Sequence, residues 1–174
     1  MTTSAWRLRR AGAEDTDALA LVAGATFLEA FAGVLDGTDI VAHVGRNSSA
    51  AAFARYLAAG AIATLAEIEP GAAPVGYTLL TAPDLPVAPE QGDIELKRIY
   101  ALAPYHGTGL GAALIARALV DALDMKCARV LLGVYGGNRR AHAFYEKHGF
   151  SVVGERRFLV GATWHDDRVY GRAV

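Results

Sequence analysis

The chain holds a single cysteine, Cys127, two methionines and no surplus of charge, with 17 Lys and Arg against 18 Asp and Glu in 174 residues. One cysteine excludes an internal disulfide framework and any zinc site built from several thiolates, so a reducing, cytoplasmic setting is expected. A formal charge of -1 provides no whole-protein field to gather nucleic-acid phosphates or an anionic membrane, and neither is expected as a partner without a local patch. Long apolar runs are missing as well. The most apolar stretch, Tyr56 to Ala66, is shorter than the roughly 18 residues of a spanning helix. The polar, basic start from Met1 to Arg10 lacks the apolar segment of a secretory leader. The five histidines, His43, His106, His142, His148 and His165, form no H-E-x-x-H pattern, so no metal site is expected. His142 and Glu146 are read as a surface pair one helical turn apart.

What is present suits one buried core. Hydrophobic residues make up 53% and charged residues 20%, and the chain is read as one domain spanning residues 1–174. Trp6 to Arg10 reads as a strand; Glu14, Asp15 and Thr16 cap a helix running to about Phe31. Asp39 to Arg46 forms one or two helical turns, and Ser48 or Ser49 caps Ala50 to Ala59, with Gly60 as the stop. Ala61 to Glu69 and Val75 to Thr81 are strands around a Pro/Gly turn. Asp93 to Leu102 is a further strand. Its alternation puts Ile94, Leu96, Tyr100 and Leu102 on one face and Glu95, Lys97, Ile99 and Ala101 on the other. Thr108 to Asp124 has helical spacing, Ala128 to Tyr135 is an almost wholly apolar strand, and Asn138 caps a helix that ends at Gly149. Phe150 to Val160 and Thr163 to Arg172 close the chain as two strands joined at Gly161. Strands with helices interspersed give an α+β or mixed α/β domain.

The chemistry concentrates in Tyr105-His106-Gly107-Thr108-Gly109-Leu110-Gly111-Ala112, between a strand and a helix. Three alternate glycines at a helix start expose backbone N–H groups and the positive end of the helix dipole, a cradle for phosphate. Gly107-x-Gly109-x-x-Ala112 also fits the dinucleotide fingerprint, but it comes past mid-chain, and the next strand ends Val134-Tyr135-Gly136-Gly137 without the carboxylate that would hold a ribose. No Gly-Lys-Ser/Thr follows, which excludes the P-loop.

These residues resemble the GCN5-related N-acetyltransferases (GNAT). The family's phosphate signature Q/R-x-x-G-x-G/A is similar to His106-x-x-Gly109-x-Gly111, with His in the first place. Glu95 to Ala101, and Gly133 to Phe150 with Asn138 followed seven residues later by Tyr145 and then Gly149-Phe150, resemble the family's next two blocks. The resemblance is good from about Asp93 to Phe150 and extends to element order only before that. It implies a mostly antiparallel mixed sheet of about seven strands flanked by helices, and an enzyme that moves an acetyl group from acetyl-CoA to a primary amine by direct attack in a ternary complex.

By the same resemblance, Ile99, Tyr100 and Ala101 pair with the pantetheine arm. The amides of His106, Gly107, Thr108, Gly109, Leu110, Gly111 and Ala112 take the pyrophosphate, and Asn138 contacts the pantetheine while also capping its helix. Arg139, Arg140 and Lys147 are candidates for the 3′-phosphate or simply a solvated basic face. Tyr145 is the family-aligned general acid; from periodicity alone it packs beside Phe144. Glu95 is the candidate base, set on the strand face of Ile99; as an ordinary charge on an amphipathic strand it needs no such role. Acceptor choice falls to Phe27 to Arg46 and Gly161 to Asp167, where Glu29, Asp36, Asp39, Asp166 and Asp167 suit a cationic acceptor. The Arg98-Ile99-Tyr100 core is closest to the polyamine-acetylating branch, and a homodimer is compatible with the pattern. The rival reading is a non-catalytic acyl-CoA sensor that keeps the cradle without turnover; a nicotinamide enzyme built on the glycine turn is the third.

Overall fold

The computed structural model describes residues 5–174. Its first strand, β1 (Trp6–Arg10), leads into helix α1 (Thr16–Phe31). Helix α2 (Gly37–Asn47) starts where the Asp36 carboxylate accepts the Thr38 N–H, and α3 (Ala50–Ala58) where the Ser49 hydroxyl accepts that of Ala52. Each cap satisfies an N–H that the first helical turn cannot. Strands β2 (Ile62–Ile68), β3 (Ala73–Thr81) and β4 (Asp93–Ala101) then form an antiparallel meander with β1. Helix α4 (Leu110–Asp124) crosses to β5 (Arg129–Tyr135), α5 (Arg139–Lys147) follows, and the hairpin of β6 (Ser151–Val160) and β7 (Thr163–Ala173) closes the chain.

The seven strands lie in the order β1-β2-β3-β4-β5-β7-β6. Only β4 and β5 are parallel neighbours, as a helical crossover between them requires. Helices α1 and α3 cover one face, where Leu19, Val22 and Phe53 meet Leu65, Tyr77 and Leu79. Helix α4 covers the other, with Leu110, Leu114, Ile115, Ala118 and Ala122 all at 0% exposure. Each of its large side chains contributes roughly 2 kcal/mol by leaving water, so this face anchors the glycine turn at its start. Helix α2 lies between α1 and β6, joined by Phe27, Ile40 and Val160. No described helix is long and apolar enough to cross a membrane.

One irregularity changes which residues face the site. Leu79 stands opposite Arg98 and Leu80 opposite Leu96, so Lys97 is an extra residue in β4. A bulge of this kind breaks the two-residue alternation, and faces exchange on passing it. Ile94, Leu96 and Ile99 therefore all pack on the α4 side, while Tyr100 packs with the α1 and α3 core. The expected grouping of Glu95 with Ile99, and of Tyr100 with Ile94 and Leu96, is corrected accordingly.

Candidate active site

The β4–β5 ladder holds only at Asp93↔Arg129, Ile94↔Val130 and Glu95↔Leu131. Beyond Glu95 the two strands part, and a cleft of about 920 Å³ opens between Leu96–Ala101 and Leu132–Tyr135. Of the residues expected to hold the cofactor, Ile99, Tyr100, Ala101, His106, Gly107, Gly109, Gly111, Ala112 and Asn138 line it. Thr108 and Leu110 do not: the Thr108 hydroxyl and N–H both turn to the Tyr105 carbonyl, at 2.7 and 3.4 Å, and the Leu110 side chain is buried in the core, which leaves only its N–H. The His106 N–H, also expected to face phosphate, instead donates to the Ala103 carbonyl at 3.0 Å.

Gly109 caps α4 with φ +90°, and Gly107 has φ +76°. Both lie in the left-handed region that glycine enters at little cost. The N–H groups of Leu110, Gly111 and Ala112 begin the helix without an internal acceptor, and none finds a backbone acceptor elsewhere among the described residues. That free array is what a pyrophosphate needs. His106, in the place of the usual Gln or Arg, works differently from those side chains. Its Nε2 lies 2.9 Å from the Ala101 carbonyl oxygen, and its Nδ1 accepts from Arg140 Nη1 at 2.7 Å. The proton is therefore on Nε2, and the ring ties the end of β4 to α5 across the cleft.

Asn138 caps α5, its Oδ1 accepting the Ala141 N–H at 3.1 Å. Tyr145 then lies on the cleft side of α5, packed against Phe144, Phe150 and Tyr170. Burial pushes its phenol above the ordinary value near 10, so the side chain carries its proton throughout the neutral range. His142 and Glu146 are not the surface pair that their spacing suggests. His142 is buried and bonds the Tyr170 hydroxyl and the Gly136 carbonyl at 2.9 and 3.1 Å, and Tyr170 donates to Glu146 at 3.2 Å. This chain fastens α5 to β7.

A second cavity of about 470 Å³ lies on the α1 and α3 side and shares Phe31, Lys97, Arg98, Tyr100, Gly133 and Tyr135 with the cleft. The two spaces meet there, which is where a group could pass from one bound molecule to another. Phe27, Phe31, Leu35, His43 and Arg46 form one wall, and Phe158, His165 and Asp167 another. Glu95 opens on this second cavity, not on the Ile99 side. It is 2% exposed, accepts the Asp84 N–H at 2.8 Å and stands 3.7 Å from Lys97 Nζ.

The acids expected to attract a cationic acceptor are mostly engaged elsewhere. Glu29 accepts the Ala103 N–H, Asp36 caps α2, Asp39 holds Ala162 N–H and the Thr163 hydroxyl, and Asp166 is exposed beside Arg157. Asp167 alone of that set lines the cavity. Its pairing with Tyr135 across β5 and β7 puts it at the tip of β5, and Arg156 Nε is 3.3 Å from its carboxylate. Burial pushes the Asp167 carboxyl upward, with Arg156 opposing. The Arg156 guanidinium lies flat against Gly133, where a Cβ would come within 2.5 Å of Nη2. Burial and the charges of Arg98 and Arg46 hold His43 down to about 4, so it is a neutral wall residue stacked on Phe27 at 4.5 Å.

Residues 29–150 match the model of the acetyltransferase (GNAT) family. The chain is a GNAT acetyltransferase. Uncharacterized N-acetyltransferases of Mycobacterium tuberculosis and Mycobacterium bovis are 40% identical to it over 160 residues, 92% of this chain and 98% of theirs. The thialysine N-ε-acetyltransferase of Sus scrofa is 30% identical over 82 residues, 47% of this chain and 45% of that protein. Among solved structures, the PaiA N-acetyltransferase of Thermoplasma acidophilum in complex with coenzyme A superposes with a TM-score of 0.77 at 18% identity, covering 98% of this chain and 99% of that one. Membership of the GNAT family makes acetyl-CoA the acetyl donor, and the splayed strands and free amides of the cleft fit it.

The smaller cavity draws His43 and His165 from the two segments expected to choose the acceptor, Phe27 to Arg46 and Gly161 to Asp167, whereas Arg98 and Arg156 were not foreseen there. A signal was available for one of them. Gly133 sits inside an otherwise bulky apolar strand, and such a glycine marks a close approach by another group, here Arg156.

Proposed function

We propose that this GNAT enzyme acetylates a primary amine by direct attack within a ternary complex, with acetyl-CoA in the larger cleft and the amine in the smaller cavity. The observation that carries the reading is that the two spaces join at Tyr100, Gly133 and Tyr135. Acetyl-CoA supplies the activated acetyl thioester. The chain's own residues then do three things. Free backbone groups of Ile99, Tyr100 and Ala101 at the unpaired edge of β4 receive the extended arm, and Asn138 borders that arm from α5. The amides of Gly107, Gly109, Leu110, Gly111 and Ala112 together with Arg140 face the phosphates, while those of His106 and Thr108 are spent on the Ala103 and Tyr105 carbonyls.

Tyr145 donates a proton to the leaving sulfur; its raised pKa keeps that proton in place until the thiolate forms. Glu95 accepts the proton lost by the ammonium, through a water, because its two oxygens already meet the Asp84 N–H and Lys97. Orientation in the joined cavities contributes the rest of the rate. No covalent acyl-enzyme is needed, and Cys127, outside both spaces, takes no part. A polyamine acceptor has support only in the 82-residue match to the thialysine enzyme.

The test is thiol release from acetyl-CoA against a panel of amines, together with binding calorimetry for acetyl-CoA. Amine-dependent release with a sequential kinetic pattern is expected. Tight acetyl-CoA binding with no release for any amine would establish the sensor instead.

A further inference from the structure

The smaller cavity contains more positive than negative charge, and its buried polar atoms are not all satisfied. Its charged lining comprises Arg46, Lys97, Arg98 and Arg156 against Asp84, Glu95 and Asp167. Lys97 is matched by Glu95 at 3.7 Å and Arg156 by Asp167 at 3.3 Å. Arg98 has no carboxylate partner among the described residues. Its guanidinium is held by neutral oxygens, Asn47 O at 2.6 Å, Ser48 Oγ at 3.2 Å and Tyr56 Oη at 3.4 Å, and lies over the rings of Phe53 and Tyr56 at 5.5 and 5.4 Å. A planar cation fixed in this way is a ready partner for a carboxylate.

On the opposite wall, Asp167 is 5% exposed, and its Oδ1 is buried without a hydrogen-bond partner, as is His165 Nε2 nearby. Buried acceptors of this kind are costly unless something donates to them. Arg156 reaches the other oxygen, Oδ2, so Oδ1 is the atom left for a ligand's N–H. The cavity thus offers a cation, Arg98, braced from the Ser48 and Tyr56 side and lining both spaces, and an unsatisfied carboxylate oxygen on Asp167 beside Tyr135. The walls between them are Phe27, Phe31, His43 and Phe158, apolar or neutral.

We infer that the acceptor is an aminocarboxylate, a small molecule carrying both a primary amine and a carboxylate, with its ammonium on Asp167 and its carboxylate on Arg98. A diamine or polyamine fits poorly: its second ammonium would meet Arg98 and Arg46 with no unpaired buried carboxylate to receive it. This deepens the acetyltransferase reading and rests on it. Asp167 positions the nitrogen beside Tyr135 as a hydrogen-bond acceptor, while Glu95 takes the departing proton through a water; Arg98 selects for the acid function without taking part in the transfer.

The test uses the unmodified protein with acetyl-CoA and two matched series, lysine with lysinamide and cadaverine, and phenylalanine with phenylalaninamide and phenethylamine. In at least one series, kcat/KM is expected to be tenfold or more higher for the acid than for either carboxylate-free analogue. Arg98→Gln, checked for folding by its thermal melt, should raise the KM of the preferred acid at least tenfold and leave that of its amide within threefold. Equal or better turnover of the amides or amines in both series would overturn the inference while leaving the acetyltransferase intact. No release with any of the six, while calorimetry shows acetyl-CoA bound, would remove both.

Discussion

Replacing Tyr145 by Phe removes one oxygen and leaves the ring. The ring contacts with Phe144, Phe150 and Tyr170, at centroid distances of 5.3, 6.0 and 6.2 Å, should survive. The hydroxyl makes no hydrogen bond to any described residue, so its loss should change stability by no more than about 0.5 kcal/mol. The rate is another matter. A positioned general acid contributes roughly 10²–10⁴-fold, about 2.7–5.4 kcal/mol of barrier, so kcat should fall by that factor while acetyl-CoA binding stays within a few-fold. Because burial lifts the phenol above its ordinary range, Tyr145 adds no ionisation to the neutral region, and the rise of rate with pH there should track the acceptor amine in both proteins. Thiol release followed at saturating amine, beside a thermal melt, reads both quantities. A kcat within threefold of the unmodified enzyme would refute the assignment, and a melting temperature lowered by many degrees would show the hydroxyl to be structural.

Three further outcomes follow from separate parts of the molecule. Gly109→Ala meets no atom within 4 Å but must hold φ at +90°, so it should cost about 1–2 kcal/mol, visible as a drop of a few degrees in Tm, and weaken acetyl-CoA binding in calorimetry. His43 is held down to about 4 from 6.5. The unfolded chain therefore takes up a proton as pH falls through 6.5 while the folded protein resists it, and stability should decline between pH 6.5 and 4 by up to roughly 3 kcal/mol. Melts of His43→Phe at pH 7.5 and pH 5 should show a shallower decline than the unmodified protein; an identical slope would contradict it. Cys127→Ser should leave turnover within twofold, because the thiol packs against the core and lines neither cavity, and a large loss in a folded variant would require a different mechanism.

The glycine turn and the cleft it borders were legible in the chain because their signals are local. Gly107, Gly109 and Gly111 announce the turn, Asn138 the cap and Tyr145 its place one face further along the same short helix. The smaller cavity was legible only in outline: the segments Phe27 to Arg46 and Gly161 to Asp167 were expected there and line it, but Arg98 of β4, Gly133 of β5 and Arg156 of β6 join them only in three dimensions. The charge pattern misled there: Asp36 and Asp39 look like acceptor acids in one dimension, yet one caps its own helix and the other fastens the β6–β7 turn. Strand alternation failed at one residue. The adjacent Lys97 and Arg98 break the apolar–polar alternation of β4, and that doublet was the visible trace of the bulge that puts Glu95 and Ile99 on opposite faces.

The short β4–β5 ladder has a consequence for how the enzyme behaves in solution. With three register positions, it is the narrowest join in a seven-stranded sheet, and it leaves two strand edges unsealed in the interior rather than at the rim. Proteins commonly blunt rim edges with charge, proline or bulges; an active site cannot use those devices without blocking its own substrate. An extended arm lying along β4 would complete the sheet, so the donor acts as a removable strand as well as a reactant. Those amides between Lys97 and Ala101 that point away from β3 should then exchange with solvent at a rate set by donor concentration, and each turnover would leave the two halves of the sheet joined by the three-position ladder alone.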